Sequence, residues 1–563
     1  MPAIGKFLKR FFIGSFLFLV IFAICFLWAI QVDTPAISDV SPGVLNAQVN
    51  KEMDVRFMNN SWYRKNEFGI FEMYIEGSPF ERGLVYGKLA KKEIELQEDY
   101  FVTQIERLVP SSVFRFFLKF FVGWFNRNMD EHIPEEYLRE IYGVSKSFSD
   151  KYTHIAPAYY RILNYHAAHD IGHALQDLSL VGCTSFAVWD SASADGDLLI
   201  GRNFDFYMGA DFSQDKVLSF IKPDSGYAFA SYSWAGLMGV VSGMNEHGLT
   251  VTINASKSVV PTSAKMPISI LARRILQYAT TINEAYAIAK ESDIFVSESL
   301  LIGSGKENKA AIIEKSPGKT GIYEVESSSL SCSNHYQSST FSNEESNKEN
   351  LENSDSKQRL KRMEELVNGN KKMTVLQAVA VLRDMKGVNN QDIGLGNTLA
   401  INQLLAHHGI VFKPAEKKMW VSTNPYQLGA FVCYDLDSVF DDRTSAAKRI
   451  VPIHMASQTI KADPFLNSTE YQKFEHYNAV KWSIVDFTLT GAPLELSDEE
   501  IGHFINSNPN LYLTYQLVGN YYFEKGESAK AAEAYQQALT KVVASKAEEQ
   551  QIRDRLQECL ESK

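Results

Sequence analysis

Cysteine is scarce: Cys25, Cys183, Cys332, Cys433 and Cys559 are the 5 in 563 residues, and no two are spaced as Cys-x-x-Cys. That spread excludes a disulfide framework and a thiolate zinc site, and it leaves chemical reactivity as a reason for keeping at least one. Excess positive charge is also missing. Lys and Arg number 56 against 67 Asp and Glu, a formal net charge of -11. This argues against a nucleic-acid-binding face, because neutralising phosphates takes clustered Lys and Arg. With 45% hydrophobic and 22% charged residues, wholesale disorder, collagen-like repetition and a multi-span membrane protein are excluded as well. What remains is a folded, mostly soluble chain, long enough for three or four domains of about 100–200 residues each.

One long apolar run is present. Lys6, Lys9 and Arg10 precede Phe11 to Ile30, about twenty uncharged residues, the length a helix needs to cross ~30 Å of hydrocarbon. A cleavable signal would have a shorter apolar core and an exit of small residues, whereas this run leaves through Trp28-Ala29-Ile30-Gln31. Residues 1–32 are therefore expected to be a cytoplasmic stub and an uncleaved membrane anchor. The basic residues on the cytoplasmic side put the bulk of the chain outside the cytoplasm, periplasmic or at the cell surface. Cys25, preceded by Ile24, reads as membrane filler rather than a lipidation site.

Residues 50–182 are expected to be mainly helical after one short strand around Phe71, Met73 and Ile75, with three- and four-residue apolar spacing over Leu84–Leu108 and Pro134–Phe148. At Cys183 the texture changes to short β-rich runs broken by turn signals such as Ala194-Asp195-Gly196-Asp197. Two helical segments (Ile268–Tyr278 and Ile282–Glu291), further strands, a polar stretch Gln337–Lys357 read as an exposed loop, and late strands including Leu399–Gln403 follow. Helices and strands in this mixed order predict an α+β layered domain over residues 183–460. The tail, residues 495–563, carries Tyr512, Leu517, Gly519, Tyr522, Gly526, Ala531, Ala534, Tyr535 and Ala538 near the offsets of a tetratricopeptide repeat. One such unit is too little for a solenoid, so it is expected to dock on the main body, while a protein partner at this tail stays open.

Four clusters carry chemistry: Gly182-Cys183-Thr184-Ser185, Gly201-Arg202-Asn203-Phe204-Asp205, Gly243 to Leu249 running on to Asn254, and Ser333-Asn334-His335-Tyr336. Singly, each has a bland reading: a packed cysteine, a surface ion pair, a turn-forming asparagine. Their order gives them weight. A cysteine opening one strand, a hairpin return bearing Arg and Asp, and two later strand-end asparagines are able to converge at one edge of a sheet.

With Gly77-Ser78-Pro79-Phe80-Glu81-Arg82-Gly83-Leu84-Val85-Tyr86-Gly87 upstream, these motifs resemble the N-terminal nucleophile (Ntn) hydrolases. The resemblance is to the branch of the acyl-coenzyme A:isopenicillin N acyltransferases, choloylglycine hydrolases and acid ceramidase-like amidases, and it extends from about Gly77 to Tyr434. It implies a four-layer αββα sandwich, preceded by a helical pro-segment and followed by the all-α tetratricopeptide-like tail. It also implies scission between Gly182 and Cys183. The nucleophile's own α-amine, with a pKa near 8, is the base in this superfamily, and it is an amide until that bond is cut. Carried over, Cys183 is nucleophile and base, Arg202 favours the thiolate, and Asp205 orients the α-amine. Asn254 donates to the oxyanion, Asn334 steadies nucleophile or substrate, and Arg359 is a further, substrate-binding match. Chain-length differences between Cys183 and Arg202 and between Gly248 and Asn254 argue against a bile salt hydrolase.

The expected function is thus a self-processing cysteine amidase or acyltransferase acting on a small-molecule or peptide carboxamide through a thioester on Cys183. No metal or organic cofactor and no nucleic-acid partner is expected. Two rivals stay open at this level: a catalytically degenerate scaffold working as an envelope binding or assembly factor through its tail, and a papain-like peptidase using His247 or His335. Cys332 reads as packing.

Overall fold

The computed structural model describes residues 2–37, 40, 42–174, 182–209, 211–257, 261–441 and 449–561. Among the described residues, its strands all fall into two sheets. The larger runs in the order β1 (Asn50–Glu52), β2 (Val55–Met58), β3 (Ser61–Lys65), β4 (Phe71–Gly77), β7 (Lys216–Pro223), β8 (Phe229–Trp234), β9 (Ser242–Asn245), β10 (Leu249–Ala255), β11 (Glu298–Ser304), β12 (Lys309–Ser316) and β13 (Lys319–Tyr323). The smaller runs β14 (Ser329–Cys332), β5 (Thr184–Val188), β6 (Leu199–Phe204), β15 (His408–Lys413), β16 (Lys418–Ser422) and β17 (Phe431–Asp435). Neighbours pair antiparallel, except that β4 runs parallel to β7.

Strands buried on both faces explain why the apolar alternation in the sequence is weak here. All seven residues of β10, Leu-Thr-Val-Thr-Ile-Asn-Ala, are buried, as expected for β-branched runs covered on two sides. On one face of the larger sheet, Val251, Ile253, Leu300 and Ile302 share a core with Ile268, Leu271 and Ile275 of the Ile268–Tyr278 helix. On its other face, Leu218, Phe220, Tyr232 and Leu301 meet Ala187, Ile200, Ile410 and Phe412 of the smaller sheet. Beyond the smaller sheet, Phe186, Val188 and Leu199 pack on Met363, Val379 and Leu382 from the Ser356–Gly369 and Val375–Leu382 helices.

The structure departs from the sequence reading in three places. Residues 50–65 add three strands to the larger sheet ahead of the one expected around Phe71. The polar stretch after Gln337 includes a Glu345–Asn353 helix. It buries more than its composition promises, since Phe341 stacks on Tyr336 at 4.0 Å between centroids and the buried Asn347 pairs with both backbone polar groups of Tyr336. Leu399–Gln403 is a loop rather than a strand, because Asn397 and Asn402 turn their side-chain oxygens back to the amides of Leu399 and Leu404.

At the N-terminus, Pro2–Ala29 is helical, and Arg10–Ala29 within it is long and apolar enough to cross a membrane. The C-terminal helices Thr469–Thr490, Asp498–Ser507, Tyr512–Glu524, Ser528–Ala538 and Lys546–Glu561 share a core with Ile393, Leu399, Leu404 and Leu428. A Cβ on Gly519 would stand 2.5 Å from the Tyr535 ring, so glycine there lets two tail helices meet closely.

Candidate active site

Cys183 lies at the entrance to β5, fully buried, where the two sheets face each other. The chain order of the motifs becomes spatial convergence through strand pairing. β5 and β6 are neighbours in the smaller sheet, and their register sets Ser185 opposite Arg202 and Thr184 opposite Asn203. From β6, the guanidinium of Arg202 donates to the Cys183 sulfur at 3.6 Å. It reaches across to the larger sheet as well, donating to the carbonyls of Val241 at 3.0 Å and Ile253 at 2.5 Å and to the Ser242 hydroxyl. The same guanidinium lies 4.3 Å over the Phe204 ring.

Burial pushes the Cys183 thiol up to about 11; Arg202 pulls against that rise and Asp205 adds to it. In the intact chain the sulfur is therefore held protonated despite its cationic neighbour. Asp205 follows β6 directly. Its backbone carbonyl accepts from the amide of Gly182 at 2.9 Å, while both carboxylate oxygens are buried without a hydrogen-bond partner. Burial drives this carboxyl up to about 8, against the attraction of Arg359 and then Arg202.

Asn254, on β10, takes a 2.8 Å hydrogen bond at Oδ1 from the Ser185 hydroxyl, a link between the two sheets. Its oxygen thus fixed, the side-chain amide is aimed the other way, and Nδ2 is buried with no acceptor. Asn334, just past β14, donates through Nδ2 to the carbonyl of Ala255 at 2.8 Å, and its Oδ1 accepts from Arg359 at 2.6 Å. Arg359 comes from the Ser356–Gly369 helix. A Cβ added to Gly182 would stand 3.1 Å from its Nη1 and 3.0 Å from Nε2 of Gln403. Any larger residue at 182 would push both side chains away. Cys183 and Arg202 are in direct contact, as are Asn334 and Arg359, while Asp205 holds the Gly182 amide next to Cys183 and Asn254 holds Ser185 two residues on.

The histidines singled out from the sequence are engaged elsewhere. His247 packs edge-on against Tyr227 with centroids 4.4 Å apart. His335 meets the Ser356 hydroxyl at 2.7 Å, and burial lowers its pKa to about 4, which keeps it neutral.

Four further residues belong to the site and carry no sequence signature. Gln403 donates from Nε2 to the carbonyl oxygen of Gly182 at 3.3 Å. Ser242 and His408 hold Arg202 from behind. An arginine only donates, so the Ser242 hydroxyl accepts from it and gives its own hydrogen to Nε2 of His408 at 2.8 Å. His408 then carries its proton on Nδ1 and passes it toward Nδ1 of His407 at 2.8 Å. Burial lowers the pKa of both rings well below the usual value, as this neutral chain requires. Finally, Glu298, opposite Ala255 in the β10–β11 register, is buried with both carboxylate oxygens unpartnered. Burial first and Asp170 second raise its pKa well above the carboxylate range, although Arg202 opposes them.

Beside the site, Ile94, Phe101, Phe148, Phe206, Phe212 and Trp234 line a narrow cleft, with Gln97, Glu98 and His166 among its polar groups. Phe206 ties it to the site as the residue after Asp205. His166 is a wall element: its Nε2 accepts the Met238 amide at 2.8 Å while Nδ1 meets the Ile162 carbonyl.

Residues 192–425 match the family described as acyl-coenzyme A:6-aminopenicillanic acid acyl-transferase. That stretch takes in Arg202, Asp205, Asn254, Asn334 and Arg359, and begins after Cys183. Among curated proteins, the chain is 28% identical over 275 residues to an uncharacterized protein of Archaeoglobus fulgidus, covering 45% of either chain. It is 25% identical over 278 residues to protein dcd1A of Dictyostelium discoideum, covering 45% of this chain and 59% of the other. The chain spans about half the length of the curated relatives it matches. Among solved structures, it is similar to a Caenorhabditis elegans N-acylethanolamine-hydrolyzing acid amidase ortholog at 18% identity and a TM-score of 0.31, over 41% of this chain and 93% of that one. It is also similar to a mutant conjugated bile acid hydrolase of Clostridium perfringens, at 14% identity and a TM-score of 0.31, over 45% and 92%.

Proposed function

We propose, from the premise that the central stretch of this chain is an Ntn-hydrolase relative of acyl-transferase type, that the protein is a self-processing cysteine amidase or acyltransferase. The observation that carries this reading is two of the site's buried, unsatisfied groups, those of Asp205 and Asn254. Asp205 has two carboxylate oxygens with nothing to accept from, and Asn254 has an amide with nothing to donate to. Buried polar groups are nearly always paired, so orphans within one site call for an explanation. A cut before Cys183 supplies it: the freed α-amine gives Asp205 a donor, and the oxyanion of a bound acyl group gives Asn254 an acceptor.

In the processing step the Cys183 sulfur attacks the Gly182 carbonyl, whose oxygen Gln403 holds. The thiol proton passes to the departing nitrogen as the peptide C–N bond breaks, leaving a thioester and a free α-amine. Water then cleaves the thioester, giving a Gly182 carboxylate and the Cys183 thiol. In turnover the α-amine takes the thiol proton, the sulfur attacks a carboxamide, and the ammonium returns the proton to the departing amine. Water or an acceptor amine ends the cycle. The aromatic cleft supports an apolar acyl group as the substrate's invariant part, because it offers rings and few polar partners.

On this reading residues 183–460 form most of a four-layer αββα core, and the cut leaves residues 1–182, of which 50–182 pack on that core, as the smaller chain, held by the pairing of β4 with β7. Residues 495–563 form a tetratricopeptide-like tail docked on the core, and residues 1–32 an anchor that leaves the enzyme facing away from the cytoplasm. Intact mass spectrometry of the purified protein tests the scheme. It should give two fragments parting between 182 and 183, the second beginning with Cys183. A fully active, uncut chain would remove the proposal. Asn254→Ala should leave KM nearly unchanged and lower kcat about 10²–10³-fold, the usual effect of losing one oxyanion donor, as steady-state kinetics on an amide would report.

A further inference from the structure

We propose that the helix Ser112–Phe125 is a second membrane contact, lying in the plane of the lipid surface beside the end of the N-terminal span. Its sequence, Ser-Val-Phe-Arg-Phe-Phe-Leu-Lys-Phe-Phe-Val-Gly-Trp-Phe, has no acidic residue. Phe125 is its only buried side chain, and Phe114, Phe117, Phe121 and Trp124, at helical spacing, are 59%, 62%, 62% and 41% exposed. A contiguous aromatic face of this kind is rarely left to water in a soluble protein, and where it occurs it marks a surface with a partner.

The partner is indicated by what the helix touches. Its C-terminal end lies against the end of the apolar N-terminal helix: Trp124 stacks on Phe26 at 5.5 Å between centroids, and Phe120 stands 6.4 Å from the same ring. A Cβ on Gly123 would meet Ile30 at 3.5 Å. The exposed face is therefore continuous with a helix whose own surface fits hydrocarbon. At 1.5 Å per residue its 14 residues span about 21 Å, too short to cross ~30 Å of hydrocarbon. A bend of 117° sets it off from the preceding Lys91–Leu108 helix.

Charge placement fits the same occupant. Arg127 lies 4.1 Å over the Trp124 ring and Lys119 lies 4.8 Å over Phe116. Such long stems cover apolar surface, and at the rim of the aromatic face Lys119 Nζ donates to the His154 carbonyl at 3.1 Å and Arg127 Nη1 to the Trp124 carbonyl at 2.6 Å. The occupant is thus a lipid surface, with tryptophan at the interface and cations at the rim. The inference stands apart from the catalytic reading and depends on the anchor for the leaflet concerned.

Photolabelling tests it without altering the protein. The full-length chain is reconstituted in vesicles of phosphatidylcholine and phosphatidylglycerol containing a phosphatidylcholine with a diazirine in its acyl chain, irradiated, and mapped by peptide mass spectrometry. Label on residues 112–125 as well as on 11–29 is expected. The double variant Phe117→Asp, Phe121→Asp should lose the first label and keep the second. Label confined to 11–29 in the unaltered protein would overturn the proposal, as would label on neither segment. A cross-link joining two copies through residues 112–125 would also overturn it, assigning the face to self-association.

Discussion

Cys183→Ala gives a single uncut chain without turnover, the all-or-none result expected if one residue supplies both sulfur and base. The loss should reach at least about 10⁴-fold in kcat, as when a nucleophile is removed from a catalytic unit. Two functions go together here. Without sulfur nothing attacks the Gly182 carbonyl, so the α-amine stays an amide and no base exists for any substituted nucleophile. The intact chain adds a physical reason for the coupling: burial holds the Cys183 thiol near about 11, so before processing it is a poor nucleophile toward anything outside the protein. Alkylation by iodoacetamide at about pH 7 should be slow on precursor and fast on the cut enzyme, where the α-amine takes the thiol proton, with intact mass reporting both. Rapid alkylation of an uncut chain would contradict the account.

The residues that announce the site in the sequence do so because strand-to-strand geometry is regular. A cysteine opening β5 and an arginine on β6 are brought together by one antiparallel register, and a strand-end asparagine such as Asn254 keeps its place because β10 is paired on both sides. Gln403 is not legible in this way. It arrives on a loop whose course is set by Asn397 and Asn402 turning back on their own backbone, and nothing in Leu399–Gln403 as a string distinguishes that loop from a strand. Ser242 and His408 are invisible for another reason. They act on Arg202 from two different sheets, and serine and histidine on buried strands have no spacing that reveals a shared partner. The three strands within residues 50–65 escape a sequence reading because short runs rich in Arg, Lys and Asn follow neither helical nor strand periodicity cleanly. Tertiary pairing with β4 gives them their structure.

Asp205→Asn should abolish turnover yet stabilise the uncut protein, a combination that a purely structural carboxylate would not give. The activity loss follows from orientation: an amide cannot offer the freed ammonium a negative charge, and replacing an orienting carboxylate by its amide has cost about 10⁴-fold in the serine protease triad. The stability gain follows from burial. In the folded, uncut chain the Asp205 carboxyl is pushed up to about 8, whereas unfolded it titrates near about 3.9. The folded state then binds the proton more tightly, so this group's contribution to stability is fully present below about pH 4 and is lost as pH rises toward about 8. The amide has no proton to lose. The comparison belongs in a Cys183→Ala background, where no α-ammonium forms. There the chain that keeps Asp205 and the chain that carries Asp205→Asn should melt at the same temperature near about pH 4, because both side chains are uncharged. By about pH 8 the Asp205→Asn chain should melt roughly 2–4 °C higher. In the processed enzyme the ammonium pairs with the carboxylate and the gain should vanish. Equal melting temperatures at the higher pH in the uncut background would mean that Asp205 already has a partner there, and the case for a carboxylate waiting on the α-amine would fall.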